Sequence, residues 1–279
     1  MSDPDNPLPL SRLALNLITV GSQHRFEDIL DGCVRRGITA VSPWRQHYES
    51  VGAAHAARAV FERGLLVDTV CRIAGFGPAD TASAWQAALR EGRATIDEAA
   101  EMRARFITVT GGGISPASKD VAAARKRVRD GVEALLPHAR AVGIDLAIEP
   151  LHPMTAADRG VISSLGLAHA MARELGAGVG VLVDAYNTWW DPNWATEIAT
   201  LGPLITGFQV SDWLIPTTDV AFDRGMMGDG VIDLRGTRRM IEGAGFHGFI
   251  EVEILSKRWA ACGLDELLDT VVARYTTCC

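Results

Sequence analysis

The sequence predicts a single (β/α)8 TIM barrel of the α/β class, and three observations predict it. Short β-rich runs alternate with longer helical patterns along most of the 279 residues. Glycines stand just after several of the helical stretches, where a helix hands over to a strand. No linker or block of like charge divides the chain. At this length either two ordinary domains or one α/β barrel would fit, and the unbroken alternation selects the barrel.

Eight strands are expected, at residues 13–19, 39–42, 66–72, 106–110, 144–149, 179–184, 205–211 and 249–255. Helical periodicity is clearest at 119–142, where Val121, Val128, Val132, Leu135, Leu136, Ala139 and Val142 share one face. Further helices are expected at 25–36, 53–63, 82–103, 165–175, 234–244 and 264–275. Gly37, Gly64, Gly143, Gly176 and Gly245 follow helices at the C-cap position. Residues 1–10 read as a disordered lead and 11–279 as the barrel. A doubly wound open sheet is the alternative, and it lacks a GxGxxG after the first strand.

The formal charge of −7 argues against a nucleic-acid surface. The densest basic cluster, Arg125, Lys126, Arg127 and Arg129, falls on the solvated face of an expected helix. The five cysteines include no CxxC pair, so a reduced, cytoplasmic protein is expected. The acidic, proline-rich opening is unlike a signal peptide, and no apolar run is long enough for a membrane span.

Active sites of such barrels form at the C-terminal ends of the strands. Period-two alternation shows which residues there face inward. In the fifth strand Ile144, Leu146 and Ile148 form one face and Glu149 lies on the other. In the sixth, Val179, Val181 and Val183 oppose Asp184; in the seventh, Phe208 and Val210 oppose Gln209. In the eighth, Ile250, Val252 and Ile254 oppose Glu251 and Glu253. With the apolar faces on the outer helices, Glu149, Asp184, Gln209 and Glu253 converge on the barrel mouth. Three carboxylates buried together would repel and protonate, and a divalent cation resolves that conflict. Ligands that are all oxygen favour a hard ion, Mn²⁺ or Mg²⁺. Glu251, one pleat deeper, fills a layer below.

Several motifs then carry a resemblance. They are Val41-Ser42-Pro43-Trp44-Arg45, Ile148-Glu149-Pro150-Leu151-His152-Pro153 and Val183-Asp184-Ala185-Tyr186-Asn187. Phe208-Gln209-Val210-Ser211-Asp212, Asp223-Arg224-Gly225 and the run from Gly248 to Glu253 complete the set. From about Leu13 to Tyr275 the chain resembles the xylose isomerase-like TIM barrels called sugar phosphate isomerases/epimerases. The resemblance implies a metal on Glu149, Asp184, Gln209 and Glu253, with Glu149 and Glu253 also the acid/base pair. It implies a substrate-binding arginine at Arg224. Relatives usually carry His where Asn187 stands, and an amide there hydrogen-bonds without transferring protons. His152, three residues after Glu149, is the candidate to restore an acid/base group. Trp44, Trp189 and Trp190 are candidate sugar platforms, and Arg45 and Arg72 are further cations at the mouth.

Such a site suits proton abstraction beside a carbonyl to give a cis-enediolate. Returning the proton makes an isomerase or epimerase of a sugar or keto-sugar. Losing a β-hydroxyl instead makes a lyase acting on a keto-cyclitol, a dehydroshikimate-like acid or an oxidised glycoside. A non-catalytic sugar-binding barrel is the third reading. The partner is a small carbohydrate or polyol-derived molecule, not nucleic acid or membrane. Nothing in the sequence fixes substrate length or phosphorylation, and a homo-oligomer is compatible with it.

Overall fold

A computed structural model describes residues 8–279. Nine parallel strands form one sheet: β1 Leu13–Asn16, β2 Ala40–Ser42, β3 Leu66–Val67, β4 Thr69–Ile73, β5 Phe106–Val109, β6 Asp145–Ile148, β7 Val179–Asp184, β8 Ile205–Val210 and β9 Ile250–Val252. Their order is β3-β2-β1-β9-β8-β7-β6-β5-β4. The two ends of that order, β3 and β4, are halves of one expected strand, parted at Asp68. The Asp68 N–H donates to Val41 O and its carbonyl accepts from Arg105 N–H, each at 3.0 Å. One residue thus joins the β2 side to the β5 side, and the eight-stranded cycle is nearly closed.

Among the described residues ten helices lie between and after the strands: α1 Phe26–Arg35, α2 Ala53–Phe61, α3 Ala82–Glu101, α4 Val121–Val142, α5 Leu165–Leu175, α6 Ala185–Thr188, α7 Trp194–Leu201, α8 Leu234–Gly243, α9 Lys257–Ala260 and α10 Leu264–Cys278. Thr81, Asp120, Ser164 and Asp233 cap α3, α4, α5 and α8 by accepting a backbone N–H two or three residues into the helix. Gly143 ends α4 at φ 74°, in the left-handed region where glycine carries no steric penalty. Among the described residues no helix is long and apolar enough to cross a membrane.

Three expectations need correction. The strand expected at 13–19 stops at Asn16, because the Asn16 Oδ1 accepts Ile18 N–H at 3.1 Å and turns Leu17–Thr19 into a 3-10 helix. Helix α7 was not expected; it is short and buries only Ile198 and Leu201, too few to make a periodic stripe. Of the expected disordered lead, residues 1–7 lie outside the described residues, whereas Leu8 is buried and Leu10–Arg12 forms a 3-10 turn.

The alternation sorts the barrel into an outer and an inner core. Leu146, Ile148, Val181, Val183, Phe208 and Val210 join the large cluster that packs under the helices. The inward residues Phe106, Ala147 and Leu182 form a separate cluster inside the barrel. Gly207 leaves room for it: a Cβ there would lie 2.6 Å from both Leu182 Cδ1 and Phe106 Cζ. This apolar plug closes the lower interior. Two residues further along the same strands the inward positions turn polar.

Candidate active site

Glu149, Asp184, Gln209 and Glu253 stand at the C-terminal ends of β6, β7, β8 and β9, and all four are buried. Carboxylate oxygens of Glu149, Asp184 and Glu253 lie within 4.8 Å of one another. Gln209 pairs in register with Asp184, and both of its amide atoms are buried without a hydrogen-bond partner. Glu251 pairs with Gln209 one pleat below Glu253 and is not part of the carboxylate group.

Several neighbours hold these groups in place. Asn187 Nδ2 donates to Asp184 Oδ2 at 2.6 Å and Glu149 Oε1 at 3.1 Å. Its Oδ1 accepts His152 N–H at 3.2 Å, which fixes the amide orientation. Arg224 Nη1 donates to Asp184 Oδ2 and Glu253 Oε2, each at 3.0 Å. The loop that delivers Arg224 is pinned by Asp212, whose carboxylate accepts four backbone N–H groups, from Trp213, Gly228, Gly230 and Ile232. Gly228 turns this loop at φ 86°, a conformation glycine supplies cheaply.

Burial raises the pKa of Glu149, Asp184 and Glu253 from their ordinary values, that of Glu149 well above it. For Glu149 the next cause is repulsion from Glu253 and Asp184; Arg224 opposes the shift at all three. One guanidinium thus offsets part of the charge of three carboxylates. The remainder, with the orphaned Gln209 amide, is a donor set that fits a divalent oxygen-loving cation.

The sequence did not single out Asn16, which sits at the end of β1. Its Nδ2 donates to Glu251 Oε1 at 2.7 Å and Glu253 Oε1 at 3.0 Å, and its Oδ1 accepts Trp44 Nε1–H at 2.7 Å. Asn16 therefore sets the pose of Glu253 and of the Trp44 wall together. The signal was available: Asn16 is the polar residue at the mouth end of the apolar run LALNL. Trp213 and Arg159 were likewise not anticipated.

A small cavity opens above the carboxylates, lined by Glu149, Glu253, Trp44, Arg72, Arg159 and Arg224 among others. Three expected mouth residues are placed differently. Arg45 turns away from the barrel and binds Glu91, Glu98 and Thr95 on α3, because that helix presents an acidic edge to it. His152 is buried in an aromatic layer rather than lining the cavity. Its ring stacks 4.8 Å from Trp213, with Trp190 edge-on at 5.9 Å, and its Nδ1 accepts Met154 N–H. Burial lowers its pKa, so the ring is neutral near pH 7. Trp189 packs 5.7 Å from Trp213 in the same layer.

The profile of the xylose isomerase-like TIM barrel family matches residues 30–272. None of the curated proteins matches the sequence. Among solved structures, protein SMc04130 from Sinorhizobium meliloti 1021 is 47% identical, with a TM-score of 0.94 over 97% of this chain and 99% of that one. The IolI protein, solved with a bound zinc atom, is 15% identical, with a TM-score of 0.81 over 95% and 99%. The 3-keto-D-glucoside 4-epimerase from E. coli is 16% identical, with a TM-score of 0.77 over 96% and 99%. The last two likenesses are of fold. With its profile match and its 47% identical relative, the chain belongs to the xylose isomerase-like TIM barrel family.

Proposed function

We propose that the protein is a divalent-metal-dependent isomerase or epimerase of a sugar or keto-sugar. The observation that carries this reading is the convergence of Glu149, Asp184 and Glu253 within 4.8 Å at a cavity in the barrel mouth. Glu149, Asp184, Gln209 and Glu253 would hold the metal, Mn²⁺ or Mg²⁺. Once bound, the ion supplies a Lewis acid that polarises a carbonyl and acidifies the neighbouring C–H.

The chain's own residues divide the remaining work. Glu253 is held at both oxygens, Oε1 by Asn16 and Oε2 by Arg224. Among the described residues Glu149 is held only at Oε1, by Asn187. Its Oε2 is the atom left to take the proton from the carbon beside the carbonyl. Glu253, on another strand end of the same cavity, is the partner that returns a proton. Arg224 steadies negative charge that develops between them. Trp44 walls the cavity and excludes water, and Asn187 keeps Glu149 and Asp184 aligned. His152 serves through its backbone N–H on Asn187, as a positioning residue.

Incubation with ketohexoses and ketopentoses in D₂O and Mn²⁺ should place solvent deuterium on the carbon next to the carbonyl, read by NMR. Exchange should vanish in Glu149→Gln. Elimination products from keto-cyclitols or keto-glycosides, without sugar interconversion, would replace this reading with a lyase. Full metal retention by Asp184→Asn, measured by elemental analysis, would remove Asp184 from the ligand set.

A further inference from the structure

Most arginines of this barrel that lie near a carboxylate use it. Arg36 binds Asp265 and Asp269, Arg63 binds Asp31, and Arg129 binds Glu133 and Glu174. At the cavity, Arg224 is committed to Asp184 and Glu253. Arg72, at the mouth end of β4, and Arg159, in the loop after β6, line the same cavity and behave differently. Among the described residues neither guanidinium makes a hydrogen bond or an ion pair.

Both are half-buried and both stack on an aromatic ring. Arg72 Cζ lies 4.7 Å from the Trp44 ring centroid, and Arg159 Cζ lies 5.6 Å from that of Phe222. Stacking uses the face of a guanidinium and leaves its edge, with the N–H donors, free. Two cations facing one small cavity also work against each other. Burial, then repulsion from Arg224 and Arg72, lowers the pKa of Arg159, against a weaker pull from Glu149 and Glu253. A protein keeps such an arrangement when a ligand completes it.

The charge balance points the same way. With a divalent cation bound, the ion and Arg224 would balance the three carboxylates. Arg72 and Arg159 then stand as surplus positive charge at the rim.

We propose that the substrate bears an anionic group, a carboxylate or a phosphate monoester, gripped by Arg72 and Arg159 while its keto end lies over Glu149 and Glu253. This rests on the reading of the site as a keto-sugar site and narrows its substrate to a charged one. Planar guanidinium edges suit either anion, because both offer paired oxygens.

The test compares three ketoses that differ at one end only: D-fructose, D-fructose 6-phosphate and D-fructuronate. Their binding to the Mn²⁺-supplemented protein is measured by isothermal titration calorimetry at low and raised salt. At least one charged ketose should bind about tenfold or more tighter than D-fructose, with an advantage that shrinks as salt rises. The better of the two identifies phosphate or carboxylate. Arg72→Met and Arg159→Met, each checked for unchanged melting temperature, should each erase about tenfold of that advantage, weakening the charged ketose more than D-fructose. The inference is overturned if neither charged ketose outbinds D-fructose, or if both variants keep the full preference. Deuterium exchange on the same compounds separates the two readings. Exchange of D-fructose without anion preference leaves the isomerase reading standing and sinks the charged substrate. Arginine-dependent anion binding without exchange does the reverse.

Discussion

Two levels of the barrel interior, two residues apart on the same strands, carry opposite chemistry. On β6, β7 and β8 the lower inward positions are Ala147, Leu182 and Gly207, and the upper ones are Glu149, Asp184 and Gln209. Both levels are buried. The lower one gains stability from each apolar side chain it hides, about 1.5–3 kcal/mol for a large one. The upper one holds like charges in a low-dielectric site, at a cost in stability that binding a cation and substrate can repay. A TIM barrel thus separates folding from function along its axis rather than between domains. On β9 the separation fails, because Glu251 and Glu253 put a carboxylate on both levels.

If that division holds, substitutions at the two levels should fail in opposite ways. Glu149→Gln should cost the largest effect, about ten-thousandfold in turnover, or about 5 kcal/mol of barrier. Its melting temperature should stay level or rise, since a buried carboxylate that crowds Glu253 and Asp184 is neutralised. Phe106→Ala should do the converse, losing about 3–5 kcal/mol of stability by opening a hole in the plug. Turnover per folded molecule should fall only a few-fold. Paired denaturant melts and initial rates check both. A Phe106→Ala protein that is stable but inactive would break the division.

This split also explains what the sequence could and could not disclose. Inward parity follows from period two, so the upper residues of β6 to β9 were legible one strand at a time. Partnership was not, because it depends on atoms brought together from distant segments. Arg45 precedes a mouth loop in the sequence, yet the acidic edge of α3 draws it outward. His152 follows Glu149 by three residues, yet Trp213, more than sixty residues later, claims its ring. Arg224 was legible as a candidate site residue, but its engagement with Asp184 and Glu253, which leaves Arg72 and Arg159 as the unpaired guanidinium groups at the cavity, was not. Asn16 stands on the first strand, where no carboxylate in the run LALNL marks the inward face.

Asn16 links the two levels, donating to Glu251 below and Glu253 above. Asn16→Ala should weaken metal binding or turnover by about 10–100-fold, the usual cost of losing a group that orients a ligand. Part of the loss should appear as a rise in KM, because Trp44 loses the acceptor for its indole N–H as well. Titrating Mn²⁺ into the apo variant separates the two. Unchanged metal affinity together with unchanged kcat would show that Glu253 holds its pose without Asn16.

The smallest expected effect lies at the charged corner of the lower level. Asp68, buried where β3 meets β4, is close enough to Glu251 to raise the pKa of that group. Burial pushes Asp68 itself from 3.8 up to about 6, against the pull of Arg105 at 2.8 Å. A folded state that holds the proton more tightly than the unfolded one gains stability at low pH. That contribution is complete below about pH 4 and is lost as pH rises through about 6. Asp68→Asn removes this titration while Arg105, 44% exposed, keeps its water. Between about pH 5 and pH 7 the variant should therefore gain on the wild type by on the order of 1 kcal/mol, read from urea melts at the two pH values. A constant difference across that range would mean that Asp68 is already ionised at pH 5, and that its ion pair with Arg105 outweighs its burial.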